Sequence, residues 1–152
     1  MKIRFSISHP TSPDVRPLLT ELSATLARIT GSSGDASFSD SDMLDPRAVF
    51  IVGRFEQEVV ACGALRKVDD NTCELKRMYV RTQRSGIGGL LLAELERRGL
   101  GLSYKRVVLE TRKVNQAAVN FYLKQGYRLV PNYGKYVGKP EAVCFGKDLE
   151  TK

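Results

Sequence analysis

A glycine-rich loop between a strand-like segment and a helical segment restricts the fold of this chain more than any other feature. Residues 73–80 have the composition of a strand, and residues 86–89 (Gly-Ile-Gly-Gly) follow shortly after them. Apolar residues then recur at helical spacing, at Ile87, Leu90, Leu91 and Leu95. Residues 106–110 read as a short apolar strand of the buried, parallel kind. A helical crossover between two such strands predicts a βαβ unit.

The remaining segments predict strands and helices on both sides of this unit. A strand over residues 2–8 precedes a helix that Ser12-Pro13-Asp14 would cap and that ends near Gly31. β-rich segments at 48–54, 59–68 and 73–80 predict a three-strand meander. Gly99 and Gly101 are expected to end the helix that follows the glycine loop.

The C-terminal third predicts one more helix and two more strands. A helix over about 115–125 ends at Gly126, and strand-like pieces follow near 127–130 and 142–149. The 152 residues are enough for one domain with a single core. We therefore expect one α/β (α+β) domain spanning 1–152, with a mixed, mostly antiparallel twisted sheet and helices on both faces.

Charge and composition exclude several classes of function. The formal charge is +7, but the basic residues are scattered and no basic-aromatic run is typical of a nucleic-acid module. No apolar run is long enough for a membrane span. One histidine and three widely spaced cysteines argue against a metal site and against a disulfide framework. We expect a cytoplasmic protein without a metal, nucleic-acid or membrane partner.

The glycine loop itself predicts an anion site. Backbone N–H groups and the positive end of a helix favour a phosphate there. A Walker loop would end in Gly-Lys-Ser/Thr, whereas this one ends Gly88-Gly89-Leu90. A dinucleotide fingerprint would need glycine where Leu91 stands, although Glu110 lies after a strand as such a fold requires. A Rossmann dinucleotide fold stays open as an alternative.

Two motifs in order resemble those of the GNAT acetyltransferases. Gln83, Gly86 and Gly88 match that family's Arg/Gln-x-x-Gly-x-Gly/Ala signature. A second signature is filled by Asn115, Ala118, Tyr122, Gly126 and Tyr127. The resemblance extends over about 48–149 and implies a GNAT fold, whose central parallel strands splay apart to admit acetyl-CoA. It also divides the chain into a substrate-side segment of about 1–47 and an acetyl-CoA-binding core of about 48–149.

The resemblance implies a role for each matching residue. Tyr122 would hydrogen-bond or protonate the departing thiolate, and Asn115 would hydrogen-bond acetyl-CoA or cap its own helix. The backbone at the end of the preceding strand would hold the pantetheine arm and polarise the thioester carbonyl. The expected acetyl-CoA-binding residues are Met78, Tyr79, Val80, Gln83, Arg84, Ser85, Gly86, Ile87, Gly88, Gly89, Asn115, Ala118 and Tyr122.

An amine acceptor also needs a route for losing its proton, because an amine of pKa about 10.4 is protonated at neutral pH. Glu74 is the candidate base, with a water chain or a salt-bridged Glu74 as alternatives. Strict strand alternation predicts that Glu74 shares a face with Val80. Asp40, Asp42 and Asp45 are candidates for attracting a cationic acceptor, and Tyr133 and Tyr136 would flank the other side of the cleft. Arg81 is expected to be exposed.

The sequence thus predicts an acetyl-CoA-dependent N-acetyltransferase. The acetyl group would move directly to a primary amine of a small molecule or peptide in a ternary complex. The alternative is a non-catalytic acyl-CoA-binding regulatory domain with the same fold. A homodimer stays open as the assembly.

Overall fold

A seven-stranded sheet forms the centre of the molecule. The computed structural model describes residues 2–81 and 86–150, and all structural statements below refer to them. The strands are β1 (Arg4–Ile7), β2 (Val49–Phe55), β3 (Glu58–Lys67), β4 (Thr72–Val80), β5 (Arg106–Arg112), β6 (Arg128–Val130) and β7 (Ala142–Asp148). Their order across the sheet is β1-β2-β3-β4-β5-β7-β6. The β2-β3-β4 meander is confirmed.

Only β4 and β5 pair in parallel; all other described neighbours are antiparallel. This mixed, mostly antiparallel sheet with one βαβ crossover confirms the predicted fold class. It also contradicts the Rossmann alternative, which requires a mainly parallel sheet.

Three helices cover the sheet. They are α1 (Arg16–Thr30), α2 (Ile87–Gly101) and α3 (Gln116–Lys124), and short 3-10 turns lie at Asp35–Ser37, Asp40–Leu44 and Gly134–Tyr136. Helix α1 begins without a side-chain cap, so the predicted role of Ser12 as cap is wrong; Ser12 Oγ donates to Asp14 instead, at 2.7 Å. Helix α1 ends at Gly31 in the left-handed region, at φ 82°.

Helix α2 ends at Gly101, as expected, and Leu102 caps it, whereas Gly99 lies inside the last turn. A Cβ at Gly99 would lie 3.3 Å from Leu149 Cδ1 and 3.5 Å from Leu65 Cδ1. Glycine therefore serves close packing here rather than helix termination.

Each face of the sheet has its own apolar core. On one face, α2 places Ile87, Leu91, Leu92 and Leu95 in a buried cluster with Cys73, Leu75, Val107 and Leu109, and α3 packs against the same cluster. On the other face, α1 places Leu18, Leu19 and Leu22 against Phe50, Val52 and Ala64. We call these the α2 face and the α1 face. Among the described residues, no helix is long and apolar enough to cross a membrane.

A β-bulge in β4 contradicts the strict alternation expected for this strand. Cys62 on β3 pairs with Tyr79 on β4, and Ala64 pairs with Lys76, so β4 contains one extra residue between the two pairs. Arg77, within that stretch of β4, has φ 55°. Cys73 and Leu75 belong to the α2-face core, and so do their neighbours Met78 and Val80 beyond the bulge. Glu74 therefore does not share a face with Val80.

The packing of α2 on the sheet predicts that two neighbouring leucines of this helix contribute very differently to stability. Leu91 is fully buried, whereas Leu90 is 55% exposed. We expect Leu91→Ala to lower the free energy of unfolding by about 2–5 kcal/mol, because it leaves a cavity in the core. Leu90→Ala on the same helix is the control and should change it by about 0.5 kcal/mol or less. Equal losses in urea unfolding would contradict this packing.

Candidate functional site

The two central parallel strands separate, and a cavity opens between them. Strands β4 and β5 pair through Thr72–Glu74 on β4 and Arg106–Val108 on β5. Past these residues lies a cavity of about 270 Å³. On the α2 face its walls include Met78, Leu109, Asn115, Ala118 and Tyr122; on the α1 face they include Leu22, Leu26, Lys76, Glu110 and Tyr136. The cavity thus joins both sides of the sheet, as the predicted splay requires.

Tyr122 lies at the α2-face end of this cavity. Its hydroxyl donates to Met78 Sδ at 3.6 Å, and its ring makes edge contacts with Phe121 and Tyr127 at centroid distances of 5.1 and 5.7 Å. Burial raises the pKa of Tyr122 far above its ordinary value. The phenol is therefore protonated at neutral pH and has a proton to donate.

Asn115 and Ala118 form the start of α3, beside Tyr122. Asn115 Oδ1 accepts a hydrogen bond from the Ala118 backbone N–H at 3.3 Å, which makes Asn115 the helix cap. Both residues line the cavity. The capping role considered from the sequence is confirmed, and because the cap uses Oδ1, the Asn115 side-chain NH2 group can still donate to a ligand.

The start of α2 lies next to α3. Gly86 precedes the helix in the left-handed region, at φ 91°, where glycine is favoured. A Cβ at Gly88 would lie 3.1 Å from Phe121 Cε1, and one at Gly89 would lie 3.5 Å from the Gln125 side-chain amide. Ile87 is buried in the core. The expected binding residues Gln83, Arg84 and Ser85 lie outside the described residues.

Beyond the bulge, the end of β4 turns different residues to the two faces. Met78 lines the cavity, and Met78 and Val80 pack on the α2-face core, while Tyr79 packs on the α1-face core. The backbone of residues 78–80 follows the last registered β4–β5 pair, so it borders the gap between the strands.

Glu74 is buried within a network of partners. It is 3% exposed; Oε1 accepts from Arg66 Nε at 2.9 Å, and Oε2 accepts from the Tyr133 hydroxyl at 2.6 Å. Arg66 also pairs with Asp42 at 3.0 Å. The network ties β3 and β4 to the 3-10 turn at Asp40–Leu44 and to the segment before β7. Both carboxylate oxygens of Glu74 are thus already engaged.

Glu110 on β5 is a functional candidate that the sequence reasoning considered only for a dinucleotide fold. It lines the cavity, and its Oε2 forms a 3.9 Å ion pair with Arg112 Nε but has no hydrogen-bond partner within the described part of the chain. Burial raises the pKa of Glu110, while Arg112 and Lys76 oppose that shift. Strand alternation at 106–110 could have identified Glu110 from the sequence. Val107 and Leu109 pack on the α2 face, so Glu110 lies on the α1 face.

The remaining polar candidates are mostly engaged in local contacts. Asp42 pairs with Arg66, and Asp45 accepts from the Arg47 backbone N–H at 2.7 Å. Asp40 is exposed at the start of its turn. Arg81 is not free and exposed as expected, because it forms two hydrogen bonds to Glu21, at 3.1 and 2.6 Å. Of the flanking tyrosines, Tyr136 lines the cavity.

Comparisons with known proteins agree with this geometry. The family model described as "Acetyltransferase (GNAT) family" matches residues 18–127. An IAA acetyltransferase from Azospirillum brasilense is 28% identical over 143 residues, which cover 92% of this chain and 94% of that protein.

Two solved structures share the fold. A putative acyl-CoA N-acyltransferase from Klebsiella pneumoniae superposes with a TM-score of 0.80 at 24% identity, covering 97% of this chain and 98% of that one. A GNAT family acetyltransferase from Elizabethkingia anophelis with acetyl-CoA bound gives a TM-score of 0.71 at 18% identity, with the same coverage of 97% and 98%.

The network around Glu74 predicts a stability effect. We expect Glu74→Gln to lower the free energy of unfolding by about 2–4 kcal/mol, because it leaves part of the buried Arg66 charge uncompensated. Glu58→Gln is the control: Glu58 is 63% exposed in its ion pair with Arg81, so the loss should be about 0.5 kcal/mol or less. Indistinguishable urea midpoints for the two variants would show that the network contributes little.

Proposed function

Because this chain belongs to the GNAT family of acetyltransferases, we propose that it transfers the acetyl group of acetyl-CoA directly to a primary amine of a small molecule or peptide. The observation that carries the proposal is the cavity through the sheet at the β4–β5 gap. Two reactants entering from opposite faces would meet inside it. This arrangement supports direct transfer in a ternary complex, which gains its rate from positioning and from stabilising developing charge.

In this proposal the α2 face holds acetyl-CoA. The thioester supplies the acetyl group, and the backbone at residues 78–80 borders the place where its carbonyl would be polarised. The start of α2 receives the phosphates through the helix dipole and backbone N–H groups. The proposed binding residues remain those expected from the sequence: Met78, Tyr79, Val80, Gln83, Arg84, Ser85, Gly86, Ile87, Gly88, Gly89, Asn115, Ala118 and Tyr122.

Tyr122 acts as the general acid. Burial keeps the hydroxyl protonated but makes it a weaker acid, so it acts by donating a hydrogen bond to the departing thiolate. Its present acceptor, Met78 Sδ at 3.6 Å, is weak and easily exchanged for that thiolate. A thiol of pKa about 8.5 leaves more readily once a phenol donates to it.

Glu110 is better placed than Glu74 to act as the general base. Glu110 lines the cavity, and within the described residues its Oε2 accepts no hydrogen bond, its contact with Arg112 Nε being a 3.9 Å ion pair. Both Glu74 oxygens, in contrast, accept hydrogen bonds from Arg66 and Tyr133. The raised pKa of the Glu110 carboxyl is also closer to the pKa of the amine, which favours proton transfer between them. Glu74 then positions the residues around it.

Transfer is tested by the release of free thiol from acetyl-CoA in the presence of amines. Polyamines, aminoglycosides, amino acids and peptides form the panel, and mass spectrometry identifies an acetylated amine. Binding of acetyl-CoA without thiol release from any of these would favour the non-catalytic regulator. Tyr122→Phe should lower kcat on the order of a hundredfold with little change in the KM for acetyl-CoA, because a transition-state proton is lost.

Tyr104→Phe is the matched control for Tyr122→Phe. Tyr104 is buried, and its hydroxyl donates to the Arg47 carbonyl at 2.9 Å, away from the cavity. Its removal should cost some stability and leave kcat unchanged. A Tyr122→Phe enzyme with wild-type kcat would exclude the phenol as the acid.

The two carboxylates predict different pH profiles. The ionised Glu110 is required as base, so kcat of the wild type should fall as the pH drops through the raised pKa of Glu110. We expect Glu110→Gln to remove this acidic limb and to lower kcat at neutral pH on the order of a hundredfold. Glu74→Gln should keep the limb but move it to lower pH, because the charge on Glu74 helps to raise the pKa of Glu110. The reverse result would assign the base to Glu74, and a limb retained by both variants would favour a water chain.

A further inference from the structure

The α1-face end of the cavity carries more positive than negative charge. The charged residues lining it are Lys76, Arg77, Glu110, Arg112, Lys135 and Lys139. Two of the cations are neutralised by carboxylates outside the cavity lining: Arg77 contacts Asp35 at 3.4 Å and Arg112 contacts Glu141 at 3.3 Å. Lys76, Lys135 and Lys139 remain, and the one carboxylate of the lining, Glu110, is itself 3.9 Å from Arg112 Nε.

Lys76 is the most informative of these lysines, because it is buried and no described carboxylate is in contact with its ammonium. It is 8% exposed, and its ammonium donates to the Tyr136 hydroxyl at 3.0 Å. In the described ranges, 2–81 and 86–150, no carboxylate lies within 4.0 Å of its Nζ. A buried charge is normally paired. A lysine ammonium has three donors, so Lys76 can bind a further acceptor.

Lys135 and Lys139 extend this charge to the surface. Both are exposed at the segment between β6 and β7, and Lys135 Nζ lies 5.8 Å from the Tyr136 ring centroid. Neither forms an ion pair with a described carboxylate. A concave site lined by one sign of charge attracts opposite charge and repels like charge. Polycationic amines are disfavoured at such an entrance.

We infer that the acceptor is a small amine that also carries a carboxylate, which binds Lys76 with help from Lys135 and Lys139 while its amino group faces Glu110. This assignment rests on the acetyl transfer proposed above and specifies its acceptor. It differs from the expectation of a cationic acceptor attracted by Asp40, Asp42 and Asp45. Of these three, Asp42 is already paired with Arg66, and none lines the cavity.

Matched acceptors test the inference in the wild-type enzyme. Glycine, β-alanine, γ-aminobutyrate and phenylalanine are each compared with the amino alcohol of the same carbon skeleton, with spermidine and kanamycin as polycations. Rates are expressed per unprotonated amine to remove differences in amine pKa. At least one amino acid should exceed its amino alcohol in kcat/KM by about tenfold or more, since hydrogen bonds to charged groups contribute that much.

Substitution of Lys76 tests whether this residue binds the acceptor carboxylate. Lys76→Met should raise KM for the preferred amino acid about tenfold or more and leave its amino alcohol and acetyl-CoA within about twofold. Lys76→Arg should recover part of the loss. Lys105→Met removes an exposed charge outside the cavity and should change none of these constants. Thermal unfolding of each variant verifies folding.

The outcomes separate the inference from the proposed function. Thiol release with every amino acid equal to its amino alcohol would overturn the carboxylate acceptor and leave acetyl transfer intact. A Lys76→Met effect on the KM of acetyl-CoA alone would assign the lysine to the other substrate and overturn the inference as well. Acetyl-CoA binding without transfer to any member of the panel would instead overturn the proposed function.

Discussion

The bulge at Arg77 is the constraint on which the site depends. Arg77 has a left-handed backbone, a conformation that costs a non-glycine residue roughly 1–2 kcal/mol. Its guanidinium offsets that cost by donating to Ser23 Oγ at 2.6 Å and to the Ser33 carbonyl at 3.1 Å, beside an ion pair with Asp35. Helix α1 and the segment after it therefore hold the bulge in place from outside the strand.

The bulge allows one strand to serve both sides of the sheet. Before it, Leu75 packs on the α2 face, which leaves Glu74 and Lys76 among polar partners on the other. After it, Met78 reaches the α2 face, where its sulfur contacts Tyr122. A regular strand would have turned Glu74, Lys76 and Met78 to one face. The change of face coincides with the gap between β4 and β5, so each end of the cavity acquires its own chemistry.

Sequence patterns predicted the parts of the fold that depend on local information. Helical spacing after Gly86, the meander and the cap at Asn115 follow from periodicity and from residue preferences within a few positions. The bulge was missed because the conformation of Arg77 depends on Ser23, which lies 54 residues away. The partners of Glu74 are equally distant: Tyr133 lies 59 residues along the chain. Contacts of that range have no signature in a single sequence.

Burial acts differently on the ionisable groups of the cavity, and their partners decide the result. For Tyr122, loss of solvent is the one cause of the pKa shift, and it favours the protonated phenol. Glu110 also loses solvent, but Arg112 and Lys76 oppose the rise of its pKa. Lys76 in turn is opposed by burial and supported by Glu74 and Glu110. Since each charge on the α1 face depends on the others, a carboxylate beside Lys76 would favour its charged form and raise the pKa of Glu110, moving the base toward the amine whose proton it must take.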